Sequence, residues 1–176
     1  MTYLSNVYPD SLRTQFPFEF RVVSSGELAD GPELRNTVSL FLYRVTVNEQ
    51  LRTSVRAVDS PDTDPPLSID LHYLMTVWAD NAPAEQTVLS WAMRELQLHP
   101  ILDASTLSSD AAWEVGEMVQ LIPAELSNEE LMRIWDLLLP KYRLSVSYIA
   151  RVVRITDGAR PPGRPVRRRA TRPSRA

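Results

Sequence analysis

The chain has 176 residues, 44% of them hydrophobic, which is enough for one compact domain with a buried core but too few for two full domains. It contains no cysteine, so disulfides, thiol nucleophiles and Cys-ligated metal sites are excluded. It has no apolar run of about 18 residues, and its N-terminus lacks the charged-then-apolar layout of a secretory signal. We therefore expect a cytoplasmic protein.

The net charge of −3 hides an uneven distribution along the chain. Residues 158–176 contain seven arginines and no acidic residue; removing those seven from the 19 basic residues leaves 12 against 22 acidic residues, a net charge of −10 for the body. This tail has four prolines and almost no apolar bulk, so nothing offsets the entropy that ordering it would cost. We expect one domain over 1–157 and a disordered basic tail over 158–176.

The first half of the chain is rich in strand signals. After an irregular segment, 1–15, aromatic and β-branched residues predict a strand over 16–24, and the sequence SGELADGPE that follows is typical of a loop. Residues 37–47 are apolar at most positions, which is typical of a strand covered on both faces or lying in a subunit interface. Residues 59–66 include three prolines and predict a surface loop.

The next segments predict a strand followed by a helix. Residues 67–79 begin with a clean alternation of apolar and polar side chains, the pattern of a half-buried strand. Pro83 suits a first helical turn, and apolar residues then recur at helical spacing up to His99, so we predict an amphipathic helix. Residues 103–113 are typical of a loop, and 117–123 of a short strand.

A second helix and a long last strand complete the predicted fold. Ser127 and Glu130 form a capping box, and the apolar stripe after them includes Trp135, which we predict to be core. Pro140 ends this helix, and residues 143–155 alternate as a long strand. Five strands and two helices predict a single α+β domain with a mixed or antiparallel sheet.

Catalytic and metal-binding patterns are missing from the sequence. The two histidines, His72 and His99, have no metal-binding spacing. His72 lies two residues from Asp70 on the polar face of its strand, where the two side chains can form a hydrogen-bonded pair. One interpretation is a catalytic histidine; the one that we favour is an ordinary exposed or interface histidine. The five glycines form no phosphate-binding loop, and the acidic residues of 59–66 lack the glycine and glutamate of a calcium loop. We predict no enzyme, no cofactor and no metal site.

Three segments resemble a known family. They are VSLFLYRVTVNEQLR (38–52), LSIDLHYLMTVWADNAPAEQTVLSWAMRELQLHPIL (67–102) and LSNEELMRIWDLLLPKYRLSVSYIARVVRI (126–155). Their order and spacing resemble the N-terminal domain of the cap protein, or tail terminator, of phage-tail-like extracellular contractile injection systems. Family members usually begin with an additional amphipathic helix, which the irregular opening of this chain lacks.

The resemblance implies a structural role. It implies an α+β fold, a six-fold ring of this chain, and contacts with the inner tube and sheath subunits whose end the ring closes. It implies no small-molecule substrate and no integral membrane contact. The segments that support the resemblance most strongly are LYRV…N in the second predicted strand, I-x-L-x-YL in the third, and the run from Trp135 to Tyr148.

Several residues are candidates for protein interfaces. Trp91 lies outside the main apolar stripe of the first predicted helix, the one that begins near Pro83. Because an aromatic side chain in that position has no predicted place in the core, Trp91 is a candidate interface anchor. Two interpretations of the tail arginines are open: docking on an acidic protein surface, or a solvated, disordered end without a partner. The third is an adaptor that binds nucleic acid or another anionic surface, and nucleic acid is disfavoured because the tail has no aromatic residues to stack on bases. The complete set of candidates is Tyr43, Arg44, Trp91, Tyr142, Tyr148, Arg167, Arg168 and Arg169.

Overall fold

The structure is a computed structural model, and it describes residues 1–29, 34–48, 67–103, 105–107, 117–138 and 141–155. These residues form one six-stranded sheet and five helices. The strands are β1 (Glu19–Val23), β2 (Thr37–Val47), β3 (Leu67–Trp78), β4 (Ile101–Asp103), β5 (Met118–Ala124) and β6 (Ser145–Ile155). The helices are α1 (Thr2–Val7), α2 (Asp10–Gln15), α3 (Ser25–Ala29), α4 (Ala82–Leu98) and α5 (Asn128–Leu137).

The sheet is mixed, with strand order β1-β2-β3-β6-β5-β4. Strand β1 runs parallel to β2, and every other neighbouring pair is antiparallel. The α+β class and the mixed sheet are therefore confirmed. Strands β2, β3 and β6 are the three longest, and they lie side by side at the centre.

Helix α4 covers one face of the sheet, which we call the front face. The helix begins where the Asn81 side chain accepts a hydrogen bond of 2.9 Å from the Ala84 backbone N–H, and a proline occupies its first turn, as predicted. Its apolar stripe is buried against the sheet residues Val38, Met75 and Val77. The predicted amphipathic helix is confirmed, and it forms the larger of two cores.

Helix α5 covers part of the opposite face, which we call the back face. The capping box predicted from Ser127 and Glu130 is present, with both reciprocal hydrogen bonds formed. Trp135 is buried, with 4% of its surface exposed, and its ring contacts that of Trp78 edge to face at 6.0 Å. The Trp78 indole N–H donates to the Ser39 hydroxyl at 2.7 Å, so the polar end of that ring is satisfied inside this second core.

The N-terminal prediction was wrong. Residues 1–15 form α1 and α2, with Pro9 at the N-cap of α2, instead of an irregular segment. Tyr8, between the two helices, is buried where its ring packs against Phe20 of β1 and Trp91 of α4. These contacts fix both short helices, which are too short to be stable alone.

Two further elements differ from the predictions. Residues 25–29, expected to be loop, form α3, and residues 101–103 form the short edge strand β4, which pairs with β5. The predicted loop 59–66 and the tail 158–176 lie outside the described residues. None of the described helices is long and apolar enough to cross a membrane.

Replacing Trp135 with alanine should destabilise the fold itself. Truncating a buried aromatic side chain costs about 3–5 kcal/mol, a large part of the about 5–15 kcal/mol that holds a typical domain together. Thermal and urea unfolding of Trp135→Ala measure the loss. Leu137→Ala is the control on the same helix, because Leu137 is exposed and its truncation should change the free energy of unfolding by less than about 0.5 kcal/mol. Equal stability of the two variants would contradict the assignment of Trp135 to the core.

Candidate functional site

Two bulges divide the central sheet into halves of different character. In β2 the register against β3 shifts between Leu42 and Arg44, and in β6 it shifts opposite Asp70. A bulge of one residue reverses which side chains face each side of a strand. Arg44 therefore points to the back face with His72, instead of following Leu40 and Leu42 onto the front face.

A polar cluster occupies the back face beyond the bulges. The Asp70 side chain is only 9% exposed; the Asn48 side-chain amide donates to both of its oxygens at 3.2 Å, and Arg151 donates from Nε to Oδ2 at 3.2 Å. His72 Nε2 shares a hydrogen bond of 3.0 Å with the Thr46 hydroxyl. Asp70 and His72 thus have different partners, so the structure does not form the hydrogen-bonded pair considered above.

The surroundings of His72 disfavour its protonated form. Burial lowers the pKa of His72 below its usual value, and the positive charges of Arg44 and Arg151 lower it further, while Asp70 opposes the shift. The arrangement joins three strands by hydrogen bonds.

The back face also carries positive charge. Arg44 and Arg154 are exposed, and Arg151 is about half exposed while it binds Asp70. Register places Arg154 opposite Ser68 and Arg44 opposite His72, so all three guanidinium groups lie on the same side of the sheet. Arg44 is also close enough to Glu130 to help lower the pKa of that carboxylate, after its hydrogen bonds with Ser127.

An apolar groove of about 430 Å³ lies on the front face, beside α1 and the end of α4. It crosses the sheet, with side chains from all six strands in its lining, and the Tyr73 and Tyr148 rings form part of its floor. Burial raises the pKa of both phenols. The described lining residues are mostly apolar and include no histidine, aspartate or glutamate, so the groove can bind apolar groups.

The interface candidates lie at separate places. Tyr43 shares a hydrogen bond of 2.9 Å with Ser147 on the back face, and Tyr142 is exposed with its ring against Trp135. Trp91 is half-buried in the N-terminal aromatic cluster, and Tyr148 is buried beneath the groove. Arg44 belongs to the basic side of the back face. Arg167, Arg168 and Arg169 lie outside the described residues.

Sequence reasoning missed two features of this site. Arg151 and Arg154 lie in a strand whose alternation was recognised, but the bulge that aligns them with Arg44 leaves no sequence signal. The groove depends on α1, which was not predicted. Across the described ranges, no group of three or more His, Asp and Glu side chains could hold a metal ion.

Comparison with known families decides the family of this chain. The sequence model described as the Pvc16 N-terminal domain matches residues 2–169, nearly the whole length. The chain belongs to the Pvc16 N-terminal domain family. Comparison with curated protein sequences gives no match.

Solved structures have the same fold as this Pvc16 N-terminal domain. The sheath/tube terminator of an extracellular contractile injection system, PVC, in its extended state is 21% identical with a TM-score of 0.55, and the match covers 94% of this chain and 61% of that one. The tube-terminating cap of the anti-feeding prophage is 23% identical with a TM-score of 0.52, and the match covers 77% of this chain and 48% of that one. The chain thus spans about half to three-fifths of the length of these neighbours.

The lowered pKa of His72 predicts a pH effect on the stability of this Pvc16 N-terminal domain. The folded protein binds a proton at His72 less readily than the unfolded chain does. The contribution of His72 to the free energy of unfolding is therefore fully present above about pH 6.5, and it is lost as the pH falls towards the pKa of His72 in the folded protein. His72→Gln removes the titrating group, so its melting temperature should fall less than that of the wild type between about pH 7.5 and 5.5. Parallel losses in both proteins would contradict this assignment.

Proposed function

We propose that this protein is a structural cap, or tail terminator, that closes the baseplate-distal end of the inner tube and contractile sheath of a phage-tail-like injection system. The observation that carries the proposal is the family match over residues 2–169. The two structural neighbours, one a sheath/tube terminator and the other a tube-terminating cap, support it. The role is one of assembly, without catalysis.

The cap acts as a ring. A terminator has to match the rotational symmetry of the tube that it closes, so we propose a hexamer of this chain with head-to-tail contacts that close by rotation. The partners are its own copies and the tube and sheath subunits, within a cytoplasmically assembled particle. Side chains that we assign to these contacts are Tyr43, Arg44, Trp91, Tyr142, Arg167, Arg168 and Arg169; Tyr148 is left out because it is buried beneath the groove.

Deletion and complementation of the gene in the producing strain test this role. Without the cap, tubes and sheaths should lack a defined distal end, so electron micrographs should show a broadened length distribution and frayed sheaths. A plasmid copy of the wild-type gene should restore uniform particles. Uniform, closed particles in the deletion strain would contradict the proposal.

The basic tail should contribute to docking and not to folding. Seven arginines face a body of charge −10, and each exposed pair contributes only about 0–1 kcal/mol, so the effect depends on many pairs and weakens with salt. Removal of residues 158–176 should leave the melting temperature unchanged. Incorporation of the truncated protein into particles should fall at low salt, and the difference from wild type should shrink at high salt.

Three outcomes separate the alternatives for the tail. Unfolding of the truncated protein would make the tail part of the fold, and normal incorporation at every salt concentration would show that it has no docking role. Nucleic acid that co-purifies with the intact protein and is lost on truncation would favour the adaptor function, in which the arginines bind phosphates. A variant with the seven arginines changed to glutamine, at full length, separates charge from chain length.

A further inference from the structure

The basic side of the back face is a surface without a partner in the described chain. Arg44 and Arg154 are exposed there, and Arg151 is held by the buried Asp70. The two carboxylates near these groups, buried Asp70 beside Arg151 and Glu130 near Arg44, do not balance three guanidinium groups, so the surface remains positive. Apolar side chains adjoin it on β5 and β6, because Met118, Ile122 and Ile149 point to the same side of the sheet. The basic surface, as we call it, consists of Arg44, Arg151, Arg154, Met118, Ile122 and Ile149.

The outer side of α5 has the opposite charge and a similar mixture of groups. Met132 is exposed, and Leu137, at 87%, is the most exposed large apolar side chain in the described residues. Glu129 and Asp136 are exposed on the same helix, and Glu125 is exposed just before it; of these three carboxylates only Glu129 forms an ion pair with a described residue, Arg133 at 2.6 Å. We call the set Glu125, Glu129, Met132, Asp136 and Leu137 the acidic ridge.

We infer that the basic surface of one copy binds the acidic ridge of α5 of a second copy. The inference rests on the self-association proposed above and names the two surfaces that make it. Charge complementarity favours a second copy of this chain as the partner of the basic surface. The acidic ridge has the opposite charge and, like the basic surface, includes exposed apolar side chains. The two surfaces are made of different residues, so a chain of such contacts is head-to-tail and can close into a ring.

A stable contact between two copies needs both the charged and the apolar side chains of these surfaces. Exposed ion pairs are weak, so the charges steer and orient the encounter while Leu137, Met132 and Met118 supply the apolar area that holds it. The buried Asp70 has a positioning role, because its bonds to Arg151 and Asn48 hold one guanidinium group at the surface. Self-association should therefore weaken with salt without disappearing.

A charge-swap experiment on the full-length chain tests the contact. Arg154 and Asp136 are both exposed, and neither makes a hydrogen bond or ion pair with a described residue, so reversing either charge should leave the melting temperature unchanged. By sedimentation equilibrium at low salt, Arg154→Glu and Asp136→Arg should each weaken self-association about 10-fold. Arg94→Glu, on the outer side of α4, is the matched control and should behave as wild type.

Mixing the two variants gives the decisive result. In an alternating ring every contact between Arg154→Glu and Asp136→Arg copies joins opposite charges, so an equimolar mixture should regain wild-type association. Failure of the mixture to recover, or unchanged association of either single variant, would overturn the contact. A wild-type chain that does not self-associate at low salt would also overturn it, as would nucleic acid retained by the monomer and lost in Arg154→Glu.

Cross-linking locates the contact independently, since the chain has no native cysteine. A mixture of Met118→Cys and Leu137→Cys copies, treated with a short bis-maleimide, should yield a cross-linked peptide that joins the two positions. Leu98→Cys, as exposed as Met118 at 61%, replaces Met118→Cys in the control and should give none. Equal yields would contradict the inference. Particles that are capped normally while this cross-link is missing would leave the cap function intact and reject only this interface.

Discussion

Both faces of β3 are buried in its second half, because Met75 and Val77 enter the core under α4 while Leu74 and Trp78 enter the core under α5. A strand in this position needs hydrogen-bonded neighbours on both sides, and β2 and β6 supply them along most of its length. The polar side chains that remain are paired internally, as in the 2.8 Å hydrogen bond between Thr76 and Ser145. Strand β3 is thus enclosed by β2 and β6 at its sides and by α4 and α5 on its two faces.

The first half of β3 has a different environment. There the two bulges turn Arg44 and Arg151 to the side of Asp70 and His72, and the hydrogen bonds of Asp70 and Thr46 replace apolar packing. The same long strands thus supply a rigid core at one end and a charged surface at the other. Bulges that re-aim side chains in this way are common at sheet edges and next to functional sites.

Local patterns predicted much of this fold. The bounds of β2, the capping box of α5 and the burial of Trp135 followed from periodicity and capping chemistry, because those signals lie within a few neighbouring residues. Helices α1 and α2 were missed because each has only six residues, and their stability comes from the distant ring contacts of Tyr8. The three-residue β4 likewise depends on its pairing with β5.

The candidate surfaces were only partly predictable. Arg44 was selected from the sequence, but its alignment with Arg151 and Arg154 depends on two bulges that no residue pattern announces. Tyr148 was selected as an interface residue and is buried under the groove, since the alternation of β6 directs it to the front face with Ala150. Which strand face meets solvent depends on packing across the sheet, and this is information that a single sequence does not carry.

A reconstruction of the distal end of intact particles by electron cryo-microscopy tests the central claim most directly. If this chain is the terminator, density on the last layer of tube and sheath should form a closed six-fold ring. Each subunit of the ring should accommodate the β1-β2-β3-β6-β5-β4 sheet with α4 and α5 on its two faces. A distal end built entirely from other chains, or this fold found at the baseplate instead, would contradict the account.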